Sequence, residues 1–303
     1  MALTRFVKEV YAPGLHLAYA AAWFLGLEGA FVFLSGAERW KLGLHTMLGV
    51  LTLFMTLFFL RAVDEWKDLD YDRVYNPDRP LVQGGVTLRQ LWGYMAVTAV
   101  LVVAVNAWVS WKLAGIVLAD MGWGVFLVWL ERVSTRVRDG MMVNLLVTYP
   151  VNVALSVYTC VLASQTHGVS SGVSGGLLVV AFAFAFLHYE LSRKIAWPHL
   201  TKATERLYSR ELGPHAAIGA AFGCALVACG LVVHLFLERG APLWGASLVL
   251  AALVAAVLGL RRFLRERAER CKLKPLATLF LAGFYVSLCV QAFGVNRLSW
   301  SVG

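Results

Sequence analysis

Nine stretches of about 20 apolar residues, separated by short polar connections, set what this chain can fold into. They fall near residues 14–34, 44–63, 90–110, 113–130, 143–163, 173–189, 215–237, 242–260 and 276–293. The hydrocarbon core of a bilayer is about 30 Å thick, which a helix crosses in roughly 20 residues. Only helices and closed barrels satisfy their backbone hydrogen bonds there. With 59% hydrophobic and 15% charged residues, and a mean hydropathy of +0.69, the chain has too much apolar surface for an ordinary water-soluble domain. The expectation is an all-α polytopic membrane protein of nine transmembrane helices, with residues 1–303 forming a single transmembrane domain. The first run, GLHLAYAAAWFLGLEGAFVFL, is long for the core of a signal peptide and lacks a convincing cleavage site, so it is kept in the mature protein.

Orientation follows from the basic residues, because cytoplasmic connections retain excess Lys and Arg. With the N-terminus inside, segments 1–13, 61–89, 131–142, 191–214 and 261–275 hold 22 of the 27 basic residues. That places the C-terminus outside and makes the net charge of +9 a topological signal. A nucleic-acid partner is not implied, although RRFLRERAERCKLK (261–274) suits contact with anionic membrane lipid. Cys160, Cys224, Cys229, Cys271 and Cys289 are odd in number and lack paired zinc spacing, so packing is the better reading. The loop GVSSGVSGG (168–176) reads as a flexible turn.

Chemistry concentrates in two cytoplasmic connections, 64–89 and 190–214. DEWKDLDYDRVYNPDRPLVQGG (64–85) puts five acids within nine residues directly after the second span. No Gly or Pro intervenes before NPDRP, so helix is expected through Asp72. Asp64, Asp68 and Asp72 then recur every four residues, each step advancing about 6 Å and stacking the carboxylates along one face, with Asp70 pointing elsewhere. Like charges at that spacing oppose the helix unless a cation sits among them. Hard oxygen ligands one turn apart suit magnesium, which takes one or two protein carboxylates while bridging to substrate phosphates. Arg73 and Arg79, followed by Gly84 and Gly85, add basic donors and mobile backbone of the kind a polyanion requires. The implied ligand is a diphosphate.

DEWKDLDYDRVYNPDRPLVQGGVT resembles the first aspartate-rich segment of the UbiA superfamily of intramembrane prenyltransferases, N/DxxxDxxxD followed by a turn, RP and Gly. Nine helices with cytoplasmic active-site loops are also that family's architecture. The resemblance implies Mg²⁺-dependent loss of diphosphate from an allylic prenyl diphosphate, with a hydrophobic acceptor attacking the carbocation-like C1. By position, Asp64, Asp68 and Asp72 would be metal carboxylates and Arg79 would touch the diphosphate. Asp64 stands where the family often has Asn.

The family's second acidic motif, about DxxxD after helix six, is altered here. In FLHYELSRKIAWPHLTKATERLYSRELG (186–213), Glu190 replaces the first acid, but Lys194 stands where the second is expected, beside Arg193. Two accounts stay open. Lys194 and Arg193 neutralise the diphosphate directly in place of a second Mg²⁺, or they are topological anchors. Glu190 is spaced to orient Lys194 through an i, i+4 pair. Asn144, Tyr149 and Asn152 in the fifth span either hydrogen-bond between helices or line the acceptor pocket. Tyr189 and His188 either pack or serve the reacting cation and acceptor. Glu28 and Asp120 have no assigned partner. The resulting expectation is prenyl transfer to an aromatic or lipid-like acceptor, with intramembrane terpene cyclisation and a non-catalytic scaffold or carrier as alternatives.

Overall fold

In a computed structural model, which describes residues 6–202, 205–268 and 270–301, every apolar run of the sequence forms a helix. After a π-helical turn at Val7–Tyr11 come α1 (Pro13–Ser35), α2 (Leu44–Lys67), the short α3 (Leu69–Tyr75), α4 (Leu88–Val109) and α5 (Trp111–Val133). The chain continues through α6 (Thr135–Asp139), α7 (Met141–Thr148), α8 (Pro150–His167) and α9 (Gly172–Ser192). It ends with α10 (Tyr208–Glu211), α11 (Pro214–Glu238), α12 (Leu243–Arg265) and α13 (Lys274–Val295). Nine helices among the described residues are long and apolar enough to span a membrane, with α7 and α8 together making one.

Local sequence explains where these helices begin and end. Prolines occupy the first turn of α1, α8, α11 and α13, where a missing N–H costs no intrahelical bond. Thr87 and Gln90 form a reciprocal capping box at the start of α4. Gly36 and Gly168 close α1 and α8 in the left-handed conformation that a β-carbon disfavours.

The helices form a bundle in which α1 packs on α2, α8, α9 and α13. From α2 the ring passes through α5 to α8 and α9, then through α11 and α12 to α13, while α4 lies against α2 and α5. At one end, two short strands pair in parallel, β1 (Trp40–Gly43) with β2 (Leu298–Ser301), fastening the connection after α1 to the C-terminal segment. Beneath β1, the buried Glu28 accepts hydrogen bonds from Trp40 Nε1 at 3.1 Å and Thr46 Oγ1 at 3.4 Å, with His167 Nε2 3.5 Å away. Glu28 therefore fastens α1 to β1 and α2, and lies against His167 of α8.

Three local features depart from the expectations. The glycine-rich 168–176 segment is helical from Gly172, and Gly175 lies against Phe31 of α1, where a β-carbon would come within 3.1 Å of the ring. Gly85 donates its N–H to Pro80 O at 2.9 Å, so the segment after NPDRP is a hydrogen-bonded turn. The fifth span is broken at Tyr149–Pro150, where proline cannot continue the α7 hydrogen-bond ladder.

Candidate active site

At the end of the bundle opposite the strands, α1, α2, α5, α7, α8 and α9 line a cavity of about 270 Å³. Its polar rim is formed by Asp64 and Lys67 of α2, Asn144 of α7, Glu190 of α9, and Arg193 and Lys194 just beyond it. The deeper walls are apolar and aromatic, with Trp23, Leu57, Leu155 and Phe186 inward of Tyr149.

The first acidic motif does not continue as one uninterrupted helix through Asp72. α2 ends at Lys67, Asp68 leaves helical geometry at φ −86° and ψ 2°, and α3 restarts at Leu69. The backbone ladder bends without opening, since Asp68 N–H still bonds Asp64 O at 2.9 Å and Asp72 N–H bonds Asp68 O at 2.8 Å. Aspartate is a poor interior helix former and repels its neighbours at this spacing, which accounts for the break. Asp64 consequently borders the main cavity, whereas Asp68 borders an adjoining one of about 470 Å³ with Asp70, Arg138 and Arg206. Asp72 is buried, its Oδ1 accepting from Asn76 Nδ2 at 2.6 Å and its Oδ2 lying 3.7 Å from Arg79 Nε. Among the described residues, no three His, Cys, Asp or Glu side chains gather as a metal cluster. Asp70 is exposed and paired with Arg73 at 3.0 Å.

The cation expected among these acids includes residues that spacing alone does not single out. Lys67 borders both cavities, its Nζ 3.7 Å from Asp64 Oδ1 and 3.3 Å from Glu131 Oε1 at the end of α5. Asn144 donates to the same Glu131 oxygen at 2.5 Å, so α2, α5 and α7 meet at one polar junction. Buried Glu65 accepts from Arg61 at 2.5 Å and from Arg79 at 2.8 Å. Arg79 is thereby held by Glu65 of α2, with Asp72 of α3 3.7 Å away. The signals for Lys67 and Glu131 were a lysine three residues beyond Asp64 and a carboxylate in the last turn of the fourth span. Burial raises the Asp68 carboxyl above its ordinary range, with Lys67 opposing and Asp64 and Asp72 adding to the rise.

At the second motif, Glu190 binds Arg193 through two hydrogen bonds, of 2.5 and 2.9 Å, and lies 3.3 Å from Lys194 Nζ. The i, i+4 pairing of Glu190 with Lys194 is therefore present, and Tyr208 OH donates to the same carboxylate at 3.4 Å. Burial lowers the Lys194 pKa, and the Glu190 carboxylate opposes that shift. Two fixed cations and one acid thus sit on the same cavity rim as Asp64 and Lys67.

Tyr149 OH donates to Ala183 O of α9, and Asn152 presents a buried Oδ1 with no hydrogen-bond partner among the described residues. Both line the main cavity. Tyr189 does not line it and packs on Phe186 instead, while His188 is buried with Nδ1 2.8 Å from Ala221 O and its ring against Phe280. Beyond Leu145 and Tyr149 lies a larger apolar cavity of about 740 Å³. Asp120 belongs to its wall, and both carboxyl oxygens are buried without a hydrogen-bond partner among the described residues.

The architecture is that of a multi-pass helical membrane protein with a charged-rim cavity sunk into the bundle from one end. Solved structures share it over nearly their whole length. A digeranylgeranylglyceryl phosphate synthase aligns with a TM-score of 0.67 over 97% of this chain and 99% of its own, at 12% identity. A UbiA homologue from Aeropyrum pernix K1 gives 0.61 over 90% and 97%, at 17% identity. A UbiA homologue from Archaeoglobus fulgidus bound to GPP and Mg²⁺ gives 0.58 over 93% and 100%, also at 17%. The chain has the fold of these UbiA homologues. No protein-family model and no curated protein sequence matches it.

Proposed function

We propose that this protein is a Mg²⁺-dependent intramembrane prenyltransferase that moves an allylic prenyl chain from its diphosphate to an aromatic or lipid-like acceptor. The observation that carries this reading is the cavity itself, whose rim joins acids to three fixed cations above an apolar, aromatic interior within the membrane span. A prenyl diphosphate has the matching division, a polyanionic head on a hydrocarbon tail. The Archaeoglobus fulgidus homologue of the same fold, bound to GPP and Mg²⁺, supports the assignment.

The donor set fits magnesium held by one or two carboxylates and completed by substrate oxygens. Asp64 is half exposed, with Lys67 at 3.7 Å as its ion-pair partner, and Asp68 one turn on is half-buried at the adjoining cavity, which Lys67 also borders. Asp64 would hold the ion on the rim of the main cavity, with Asp68 of the adjoining cavity as the second carboxylate, while Asp72 is engaged by Asn76 and Arg79. When bound, Mg²⁺ supplies positive charge that stabilises the departing diphosphate. Lys194 and Arg193, oriented by Glu190, bind the diphosphate from the second motif and neutralise charge as the C1–O bond breaks. The apolar walls exclude water from the allylic cation and leave the acceptor as its nucleophile. The charged rim lies on the cytoplasmic side in this reading, with the N-terminus inside and the C-terminus outside, following the 22 of 27 basic residues in the inner segments.

The deciding experiment incubates purified protein in nanodiscs with prenyl diphosphates and Mg²⁺, with and without phenolic and lipid-alcohol acceptors, and measures diphosphate release and products. Acceptor-dependent release with a prenylated product is the expected result. Acceptor-independent release with a cyclic hydrocarbon would assign cyclisation, the reading favoured by the aromatic residues Trp23, Tyr149 and Phe186 on the cavity wall. No release at any chain length would remove the enzymatic reading.

A further inference from the structure

We propose that the cavity of about 740 Å³ binds an apolar molecule through a hydroxyl held by Asp120, and that this molecule is the prenyl acceptor. The proposal rests on the prenyl-transfer reading above and says where the second substrate sits. The wall comes from α5, α7, α8, α9 and α11, and nearly all of it is hydrocarbon. Three of its side chains carry nitrogen or oxygen: Asp120, Trp123 and Tyr149. Trp123 commits its N–H to Val147 O at 2.9 Å, and Tyr149 commits its O–H to Ala183 O. Asp120 is left. It is 3% exposed, and neither carboxyl oxygen has a hydrogen-bond partner among the described residues. A carboxyl buried inside a membrane span is costly unless it is paired, and what its oxygens lack is a donor. A hydroxyl on an otherwise apolar molecule supplies that donor, while the hydrocarbon wall takes the rest of the molecule. An acyl chain alone would leave Asp120 unpaired.

The cavity is placed for both entry and reaction. Trp123, Leu146 and Val157 of its wall are exposed on membrane-spanning helices, so it opens toward the bilayer, in which an apolar acceptor dissolves. Inward, Leu145 and Tyr149 border both this cavity and the main one. Along α5, Asp120 stands one turn, about 6 Å, from Gly124, which borders the main cavity. The volume also falls within the range of small-molecule sites, about 300–1,000 Å³.

Photolabelling of the purified protein in nanodiscs tests the site without turnover. The probes are an alkylphenol and a long-chain alcohol, each carrying a diazirine, and the O-methyl ether of each. A hydroxyl probe should label wall residues of α5 and α8 about tenfold more than its ether, as loss of one hydrogen bond to a buried carboxyl predicts. Whichever pair shows that difference identifies the bound molecule as a phenol or as a lipid alcohol. Asp120→Leu should bring the hydroxyl probe down to the ether level, and Asp120→Asn, which keeps one accepting oxygen, should fall between. In turnover, Asp120→Leu should raise KM for the prenyl acceptor about tenfold and leave KM for the prenyl diphosphate unchanged. Thermal midpoints should hold or rise, because the substitution removes an unpaired buried carboxyl. A midpoint lowered by both Asp120→Leu and Asp120→Asn would make the carboxyl structural and overturn the proposal. So would equal labelling by hydroxyl and ether probes, no labelling of this wall, or labelling that Asp120→Leu does not change. Hydroxyl-dependent labelling without diphosphate release from any prenyl donor would leave the Asp120 site standing and remove the prenyl-transfer reading alone.

Discussion

Asp68 and Lys194 carry opposite charges under the same constraint, each half-buried near a membrane boundary where an uncompensated charge is costly. Because burial raises the Asp68 pKa, its contribution to stability is present below the ordinary carboxylate range and is lost as pH rises through the raised value. Asp68→Asn should therefore raise the thermal midpoint at neutral pH without Mg²⁺. It should also abolish turnover and the extra stability that Mg²⁺ gives the wild type, measured by paired melts with Mg²⁺ and with chelator. Lys194→Ala should raise KM and lower kcat together, because the ammonium acts on bound diphosphate and more strongly on the departing one. Lys194→Asp, recreating an acid pair with Glu190, should recover activity at high Mg²⁺ where Lys194→Ala does not. Wild-type kinetics for Lys194→Ala at low substrate and low Mg²⁺ would reduce Lys194 to an anchor. Asp64, Glu190, Arg193 and Lys194 were legible in the sequence because a fixed helical spacing ties their carboxylates and cations together. Lys67 with Glu131 was not, because the contact joins α2 to α5 and has no period to reveal it.

At the scale of elements, hydropathy shows where a span lies but not how it is interrupted. α2 breaks at Asp68 and the fifth span breaks at Tyr149–Pro150, and both breaks lie beside the main cavity. In the second, Trp123 Nε1 donates to Val147 O at 2.9 Å and Thr148 Oγ1 donates to Asn144 O at 2.9 Å, so carbonyls of the interrupted helix find side-chain donors. The start of α7 is held from 70 residues away, as Glu211 of α10 accepts from the N–H groups of Met141 and Met142 at 2.5 and 3.1 Å. A carboxylate there satisfies two orphan donors and complements the positive end of the helix. Glu211→Ala should cost about 1 kcal/mol, as loss of an N-cap does, read as a lower midpoint in thermal or denaturant melts. It should also raise KM more than it lowers kcat, since α7 carries Asn144 on the cavity rim. Glu211→Gln, which keeps an acceptor oxygen, should fall between. Unchanged melts for Glu211→Ala would show that α7 is held by its packing alone.

Across the whole molecule, the nine-span architecture followed from hydrophobic length alone, since a bilayer admits few other solutions. The β1–β2 pairing was invisible, because four-residue strands more than 250 residues apart are specified by the packing beneath them. The structure gathers both motif-bearing connections at one end of the bundle and puts the strands at the other, so topology and catalysis are tested together. Single cysteines at Tyr75, Thr135 and Ala268 occupy exposed positions at the motif end, and one at Ser170 is exposed at the strand end. Residue 203 itself lies outside the described residues. The five native cysteines are free and buried or half-buried, so a cysteine-free background is the proper host. A membrane-impermeant maleimide applied to intact cells should label only 170, and inverted vesicles should expose 75, 135 and 268 while protecting 170. Adding Mg²⁺ and a prenyl diphosphate analogue should then slow labelling at 75, next to the first motif, and leave 170 unchanged. Labelling of 75 and 170 from the same side would refute the nine-span map, and with it the common face on which both motifs meet the substrate.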